Sequence, residues 1–253
     1  MQPKREKADE TVKQMQWFEK LDFYDNPFSI DTDIEDELIG VDDILDELYY
    51  RVESGSIVFL EGQAGTGKTA VLKKVIGRFM GSKQVIFFDC KEIPDKRLNI
   101  ERLMFERYGT IGKLLRLTPK NMILLLDNVP ALSKKNTERA KFFFDQDFIK
   151  AIVLTGKSYS RLSMSEGIKE RIGSRVIKLR RLTPEQVVEL VNYRLGDAKL
   201  MNEETVKTIF KRSRGNLKRF LEYCDMACQI AVNSKSKRVK TKHLKKLFGG
   251  GDE

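Results

Sequence analysis

The sequence is poor in the residues that most often build metal centres and acid–base sites. Among 253 residues it has one histidine, His243, and three cysteines, Cys90, Cys224 and Cys228. A single histidine nearly excludes histidine-based catalysis and a histidine-rich metal site. Cys224 and Cys228 are four residues apart on a predicted helix and lack the second pair that a zinc site needs. The cysteines are therefore expected to be buried, reduced side chains.

Long apolar runs are also absent. No segment approaches twenty consecutive apolar residues, so no membrane span is expected. The first ten residues, MQPKREKADE, are charged and lack the apolar segment of a secretory signal. We therefore expect a cytoplasmic protein. The chain is 41% hydrophobic and 33% charged, which allows a sizeable core beneath a polar surface.

Acidic residues are scarce only toward the C-terminus. The net charge is +10, and residues 161–253 hold 22 Lys and Arg against 11 Asp and Glu, so the whole excess lies there. This asymmetry predicts an anionic partner for the C-terminal part, with nucleic acid favoured over acidic lipid. The alternative is a basic surface that is simply solvated.

The pattern of apolar residues predicts two domains. Five short apolar segments alternate with helical ones and are predicted strands, at 56–61, 84–89, 122–127, 148–155 and 175–179. Strands that are apolar throughout and separated by helices indicate a parallel sheet covered on both faces. A helix is predicted before the first strand at 41–53, and helices between the strands are predicted at 68–80, 97–117 with an interruption, and 136–146. After Leu179 only helices are predicted, at 184–195, 203–213, 217–232 and 241–247.

These elements divide the chain. An N-terminal arm over 1–35 is predicted to be partly helical, with a charged amphipathic helix at 4–21 that ends in Trp17 and Phe18. The α/β domain follows at 36–181, the helical domain at 182–248, and a flexible tail at 249–253. Trp17 and Phe18 are expected either to dock on a partner protein or to pack on this chain's own domain.

The strongest motif is GQAGTGKT, from Gly62 to Thr69, which follows a predicted strand and opens a predicted helix. Its glycines let the backbone wrap a phosphate chain, and the helix directs its positive dipole end at the same phosphates. Lys68 is expected to contact the β- and γ-phosphates, and the Thr69 hydroxyl to bind Mg²⁺. The strand–loop–helix context favours a nucleotide site over a chance match.

Two adjacent residues at the end of the third predicted strand carry the next signal. Asp127 ends the apolar run ILLLD, and a carboxylate there can hold the water shell of Mg²⁺. Asn128 follows it. An amide can hold a water molecule by hydrogen bonds but cannot accept its proton.

Several later residues are predicted to complete the site. Thr155 ends the fourth strand, and either Thr155 or Lys157 is expected to touch the γ-phosphate or the attacking water. Arg175, in RIGSRV, is expected to serve the nucleotide of a neighbouring subunit. Lys218 lies in the first turn of a helix, where a cation is unfavourable unless an anion is near. For Arg175 and Lys218 the alternative is a solvated basic surface.

Taken together, the phosphate loop, ILLLD, IVLTGKS, SRV and GNLKR resemble the AAA+ ATPases over roughly residues 22–248. YDNPF, RLTPEQVVELVNYRL and SRGNLKRFLEYC are most similar to the branch with the archaeal and eukaryotic origin-recognition initiators and the ExeA-type and TniB-type ATPases. The resemblance implies a three-layer P-loop NTPase fold with a parallel sheet in the order 5-1-4-3-2. It also implies that the helical domain is a lid over the nucleotide.

The resemblance also assigns roles to residues. Thr69 and Asp127 would bind Mg²⁺, the first sensor would be at or near Thr155, the arginine finger would be Arg175, and the second sensor would be Lys218. The adenine would lie near Gly40 and Val41. The remaining residues implied for ATP or ADP binding form the phosphate loop: Gly62, Gln63, Ala64, Gly65, Thr66, Gly67, Lys68, Thr69 and Ala70.

Three departures from the family set the expected activity. The family usually has Glu where this chain has Asn128, and Arg where it has Lys218, which lacks the planar guanidinium fork. Initiators also carry a winged-helix domain, which is not expected here. A slow or conditional ATPase is therefore expected, and Asp89 at the end of the neighbouring strand is an alternative source of a base.

The favoured function is a nucleotide-controlled switch or slow ATPase in DNA replication, recombination or transposition. It would contact nucleic acid through its basic C-terminal part without sequence preference, and self-associate or join related subunits through Arg175. One alternative is an assembly or remodelling subunit of a secretion or pilus type. Another is a structural, nucleotide-bound scaffold docked through the N-terminal arm. A small-molecule kinase fits the second domain less well.

Overall fold

The structure, a computed structural model, describes residues 15–31, 33–34, 36–82, 85–92, 99–106, 120–129 and 132–249. Most of the predicted helix at 4–21, part of the predicted helix at 97–117 and most of the predicted tail lie outside the described residues. Only a short 3-10 helix, Glu19–Leu21, is found in the described part of the first of these.

A five-stranded parallel sheet forms the centre of the first domain. Its strands are β1 (Ile57–Glu61), β2 (Val85–Asp89), β3 (Met122–Asp127), β4 (Ile149–Gly156) and β5 (Val176–Lys178). They lie in the order β2-β3-β4-β1-β5, which confirms the predicted order read from the other edge. The carboxyl ends of all five strands therefore meet at one edge of the sheet.

Helices cover both faces of this sheet. They are α1 (Asp42–Glu53), α2 (Lys68–Phe79), α3 (Ile100–Glu106), α4 (Lys134–Asp145) and α5 (Glu166–Ile172), with a 3-10 turn at Met80–Ser82. Alternate residues of β3 enter different layers, because successive side chains of a strand point to opposite faces. Leu124 and Leu126 pack in the layer with α3, α4 and α5, whereas Ile123 and Leu125 pack in the layer with α1 and α2.

Four helices form the lid: α6 (Pro184–Leu195), α7 (Glu203–Arg212), α8 (Leu217–Asn233) and α9 (Thr241–Phe248). The start of α6 is fixed by a capping box, in which the Thr183 hydroxyl accepts from the Gln186 backbone and the Gln186 side chain accepts from the Thr183 backbone. Cys224 and Cys228 are buried in the lid core, as predicted, and burial raises the pKa of both thiols.

Among the described residues, no helix combines the length and the apolar character needed to cross a bilayer.

The N-terminal arm packs on the lid of the same chain. Trp17 is 4% exposed, its ring stacks on Phe28 with centroids 6.3 Å apart, and its Nε1 donates to Asp225 Oδ1 at 2.7 Å. The expectation that Trp17 packs on its own chain is therefore confirmed, whereas docking of the arm on a partner protein stays a prediction. An indole N–H needs an acceptor when it is buried, and Asp225 supplies one.

Candidate functional site

The loop between β1 and α2 has the backbone of a phosphate-binding loop. Gly65 and Gly67 have φ angles of +74° and +93°. Residues with a side chain adopt such positive φ angles only at a cost in free energy, whereas glycine adopts them readily. The Thr66 hydroxyl and amide both donate to the Gln63 carbonyl, which closes the turn. No atom lies within 4 Å of a Cβ placed on Gly67, so space is open beside the first turn of α2.

Lys68 is held inside this loop. It is 8% exposed, and its Nζ donates to the carbonyls of Gly62 at 2.8 Å and Gln63 at 3.1 Å. Burial lowers the pKa of the ammonium, and the nearby Asp127 carboxylate opposes that shift. Of the three N–H donors that an ammonium carries, one remains beyond these two contacts.

Asp127 is fully buried at the end of β3 and accepts from three groups. The Thr69 hydroxyl donates to its Oδ2 at 2.5 Å, and the Thr155 hydroxyl and the Asn128 backbone N–H donate to its Oδ1. The two residues predicted to bind Mg²⁺, Thr69 and Asp127, are therefore in contact. Thr155 positions this carboxylate from the end of β4, whereas Lys157 is exposed and lines the adjoining cavity.

Asn128 turns the chain at the end of β3 and reaches the neighbouring strand. Its φ is +58°, a left-handed conformation that asparagine tolerates better than most residues. Its side-chain Nδ2 donates to Asp89 Oδ1 at 2.9 Å, and the backbone N–H of Lys91 donates to the same oxygen at 2.9 Å. Asn128 and Asp89 both line the cavity beside the phosphate loop.

The lid touches the phosphate loop directly. The Leu217 N–H donates to the Gly65 carbonyl at 2.8 Å, and Asn216 Nδ2 donates to the Ala64 carbonyl at 3.3 Å. Asn216 also caps α8, since its Oδ1 accepts from the Arg219 N–H at 3.1 Å. These contacts place Lys218, in the first turn of α8, on the wall of the cavity.

The cavity between the lid and the α/β domain has a volume of about 1140 Å³, large enough for a nucleotide. Residues Ala64 to Ala70 line it, together with Val41, Asn128 and Lys218. Gly62 and Gln63 instead hold Lys68 through their carbonyls. Gly40 does not line the cavity. A Cβ on Gly40 would fall 2.1 Å from Gln186 Nε2, so this glycine allows close packing of the lid.

Sequence reasoning missed several residues of this cavity. The arm and the segment before α1 contribute Ile30, Asp31, Leu38 and Ile39, and the lid contributes Leu182, Leu190, Arg194 and Leu221. The Arg194 guanidinium donates to the carbonyls of Pro27 and Ser29, and burial lowers its pKa. The sequence could have indicated Arg194, because it lies four residues after Leu190 and therefore on the apolar face of a predicted helix.

The arginines before β5 lie away from this cavity. Arg171 pairs with Asp145 at 2.8 Å, and Arg175 Nη1 donates to the Arg171 carbonyl at 2.8 Å, at the end of α5. Neither arginine lines the cavity of its own chain. The role of Arg175 toward a neighbouring subunit therefore stays a prediction.

Within the part of the chain that the structure describes, no group of three or more His, Cys, Asp or Glu side chains is arranged to hold a metal.

Comparison with known proteins gives the fold. No family model matches the chain. The structure is similar to that of the Aeropyrum pernix Orc1 protein in complex with DNA, with 19% identity and a TM-score of 0.69 over 88% of this chain and 68% of the other. The chain has the AAA+ ATPase fold. The structure of Thermotoga maritima RuvB is also similar to that of this chain, with 17% identity and a TM-score of 0.63 over 86% of this chain and 72% of the other.

A sequence comparison adds a further similar protein. Origin recognition complex subunit 1 of Dictyostelium discoideum is 24% identical over 226 residues, which cover 74% of this chain and 36% of the relative. The chain thus spans about a third of the length of that relative. The AAA+ fold confirms the predicted sheet and the predicted helical lid.

Proposed function

We propose that this chain binds Mg·ATP between the phosphate loop and the lid, and acts as a nucleotide-controlled switch or slow ATPase on DNA. One observation carries the proposal: the phosphate loop with Lys68 and Thr69 walls the cavity on one side, the start of α8 walls it on the other, and the loop and α8 are hydrogen-bonded to each other. A ligand seated there contacts both domains at once.

The residues of the loop fit a triphosphate. Gly67 precedes α2 as its N-cap and supplies no side-chain cap, so the backbone N–H groups of the first turn and the helix dipole favour an anion. Lys68, Lys91, Lys157 and Lys218 add positive charge around the same space. Lys68 would exchange its loop carbonyls for phosphate oxygens, which bear more negative charge.

The same cluster fits Mg²⁺. The Thr69 hydroxyl and the Asp127 carboxylate are a pair of oxygen ligands 2.5 Å apart, and Mg²⁺ binds in nucleotide sites through one or two such groups and the phosphates. Bound there, the ion would offset the charge of the phosphates. The Thr155 hydroxyl holds the carboxylate in place from the other side.

The base of the nucleotide has an apolar place in this cavity. Ile39 and Val41 come from the segment before α1, and Leu182, Leu190 and Leu221 come from the lid. Aliphatic side chains on two sides suit a flat aromatic ring, since such contacts remove its faces from water. We place the adenine beside Val41, with Gly40 acting through its close packing against Gln186.

The lid contacts supply the switch. The N–H of Leu217 and the amide of Asn216 are bound to the loop that would hold the phosphates. A change in the phosphate chain alters this loop, and the start of α8 responds because it is attached there. Lys218 would respond to the γ-phosphate as a charge, without the bidentate geometry of arginine.

Replacing Gly65 with alanine tests this link. A Cβ at Gly65 would lie 2.1 Å from Asn216 Oδ1, and the positive φ adds strain of about 1–2 kcal/mol. We expect ATP affinity to fall roughly tenfold, which corresponds to about 1.4 kcal/mol. Titration with a fluorescent ATP analogue measures it.

Gly196→Ala is the matched control for this test. Gly196 also has a positive φ, of +53°, but no atom lies within 4 Å of its Cβ position. It should lose stability without losing ATP affinity. Equal ATP affinities of the Gly65 and Gly196 variants would contradict the link between loop and lid.

The DNA contact is proposed for the end of the lid. The exposed cations of this surface are Lys235, Lys237, Arg238, Lys240, Lys242, Lys245 and Lys246, and no acidic residue occurs in the sequence between Asp225 and Asp252. Burial and three of these lysines lower the pKa of His243, which reflects the positive field there. The Aeropyrum pernix relative, solved in complex with DNA, supports the same partner.

Salt dependence tests the DNA contact. We expect ATP-dependent binding of a fluorescent DNA duplex, measured by anisotropy, with the same affinity for unrelated sequences. Lys242 and Lys246 are exposed and four residues apart on α9, so the double variant Lys242→Ala/Lys246→Ala removes two neighbouring phosphate contacts. Its log–log salt slope should fall by about 2 in magnitude over about 50–200 mM NaCl.

A matched double variant on the other domain controls for net charge. Lys134→Ala/Lys135→Ala removes two exposed cations at the start of α4 and should leave the salt slope unchanged. DNA binding that is absent at low salt, or is the same with ATP, ADP and no nucleotide, would overturn the proposed switch on DNA.

Asn128 favours one second candidate function, a scaffold that keeps its nucleotide. An amide at this position cannot take a proton from water, so turnover by Asn128 itself is not expected. Purified chain that retains ATP or ADP through gel filtration and shows no turnover would favour the scaffold. In either function, we place Arg175 at an interface with a second AAA+ subunit, since it lies away from its own cavity.

A further inference from the structure

We propose that Asp89 is the general base for ATP hydrolysis in this chain, and that Asn128 is its positioning residue. The assignment rests on the proposed binding of ATP in the same cavity. The carboxylate that activates water would then lie at the end of the edge strand β2. In the family it usually lies at the position of Asn128, and the sequence indicated Asp89 only as an alternative.

The sheet brings the two aspartates together. Asp89 and Asp127 end adjacent parallel strands and are register partners, so their side chains leave the same face at the same edge. Asp127 is fully buried and engaged by Thr69, Thr155 and the Asn128 backbone. Asp89 is only partly buried and lines the cavity. The Asp127 carboxylate is thus occupied by its contacts, including that with Thr69, the other proposed Mg²⁺ ligand. The Asp89 carboxylate instead faces the cavity, where the attacking water would lie.

Hydrogen bonds fix how Asp89 faces the cavity. Asn128 Nδ2 and the Lys91 N–H both donate to Oδ1, each at 2.9 Å, and no described residue donates to Oδ2. An ionised carboxylate only accepts hydrogen bonds, so the Asn128 amide must present its nitrogen to Asp89. The Asn128 carbonyl oxygen then remains to accept from a water that also donates to Asp89 Oδ2. Among the described residues, the other carboxylates of the cavity wall accept no hydrogen bond from Asn128.

The chemical step balances with water as the only further reactant. The water oxygen forms a bond to the γ-phosphorus while its proton passes to Asp89 Oδ2. The bond from the γ-phosphorus to the bridging oxygen breaks, and its electron pair stays on ADP. Asp89 then returns the proton to the inorganic phosphate and is again a carboxylate.

Exchanging the two side chains distinguishes a base from a structural partner. Asp89→Asn should lower kcat by about 10²–10⁴-fold, the usual contribution of a general base, and leave ATP affinity unchanged. The double variant Asp89→Asn/Asn128→Asp keeps an amide facing a carboxylate but moves the carboxylate to the position directly after β3. It should recover at least roughly tenfold of the lost kcat. A role of Asp89 in folding alone would not produce this recovery.

The readouts separate this assignment from the proposed function. Phosphate release gives kcat, a fluorescent ATP analogue gives affinity, and thermal unfolding confirms that each variant folds. If Asp89→Asn binds and hydrolyses ATP like the wild type, Asp89 is not the base. If the wild type binds ATP without any turnover, with or without DNA, the assignment also fails while ATP binding stands. A wild type that does not bind ATP overturns the proposed function and this assignment together.

Discussion

Alanine in place of Lys68 is expected to weaken ATP binding by about 10²–10³-fold. The Lys68 ammonium is buried in the loop, and burial lowers its pKa because the charged form is poorly solvated there. A phosphate oxygen beside it would stabilise this charged form. This loss of affinity corresponds to about 3–4 kcal/mol, which is close to the contribution of two charge-assisted hydrogen bonds to phosphate oxygens. Titration with a fluorescent ATP analogue in the presence of Mg²⁺ measures the change.

Lys74→Ala provides the control for Lys68→Ala. Lys74 carries the same charge on the same helix, α2, but does not line the cavity. Its loss should leave ATP affinity unchanged, so a general effect of net charge is separated from direct contact. Lys68→Ala with wild-type affinity would show that ATP does not bind at this loop.

Alanine in place of Trp17 is expected to destabilise the lid by about 3–5 kcal/mol, the usual cost of truncating a buried large aromatic residue. Trp17 is 4% exposed, stacks on Phe28 and joins the lid core with residues of α6, α7 and α8. Chemical denaturation followed by circular dichroism measures the free energy of unfolding.

Two further variants separate the contributions of Trp17. Trp17→Phe keeps an aromatic ring but removes the 2.7 Å hydrogen bond from Nε1 to Asp225. It should cost about 1–3 kcal/mol, because the partly buried Asp225 carboxylate loses one of the two donors to its Oδ1, the other being Asn26. Tyr24→Ala, in the same arm but 95% exposed, should not change stability. Wild-type stability of Trp17→Ala would instead favour the hypothesis that this side chain docks on a partner.

The sheet was predictable because its strands are apolar on both faces. Runs such as MILLLD must be buried on two sides, and only a parallel sheet between helix layers provides that. The strand order, however, came from the resemblance to AAA+ ATPases. Helix boundaries in the lid were close to the predictions where a cap residue marked the start, as at Thr183 and Asn216.

Other features depend on contacts between residues that are distant in the sequence. Asn128 and Asp89 are 39 residues apart, and nothing local indicates that the amide would reach the carboxylate. The seven-residue helix α5 is too short for a clear period, and it was not predicted. Gly40 was predicted beside the adenine, but the structure places it under Gln186, a contact set by lid packing.

The attachment of the N-terminal arm has a mechanical consequence. Trp17 and Phe28 lie in the lid core, and Arg194 of α6 holds the carbonyls of Pro27 and Ser29. Residues 17–29 are thereby attached to the lid, so we expect a rotation of the lid to carry them with it. Ile30 and Asp31, which line the cavity and follow directly in the sequence, would move as well, and such a rotation would widen the cavity on two sides. The connections before α1 and before α6 are then the expected hinges.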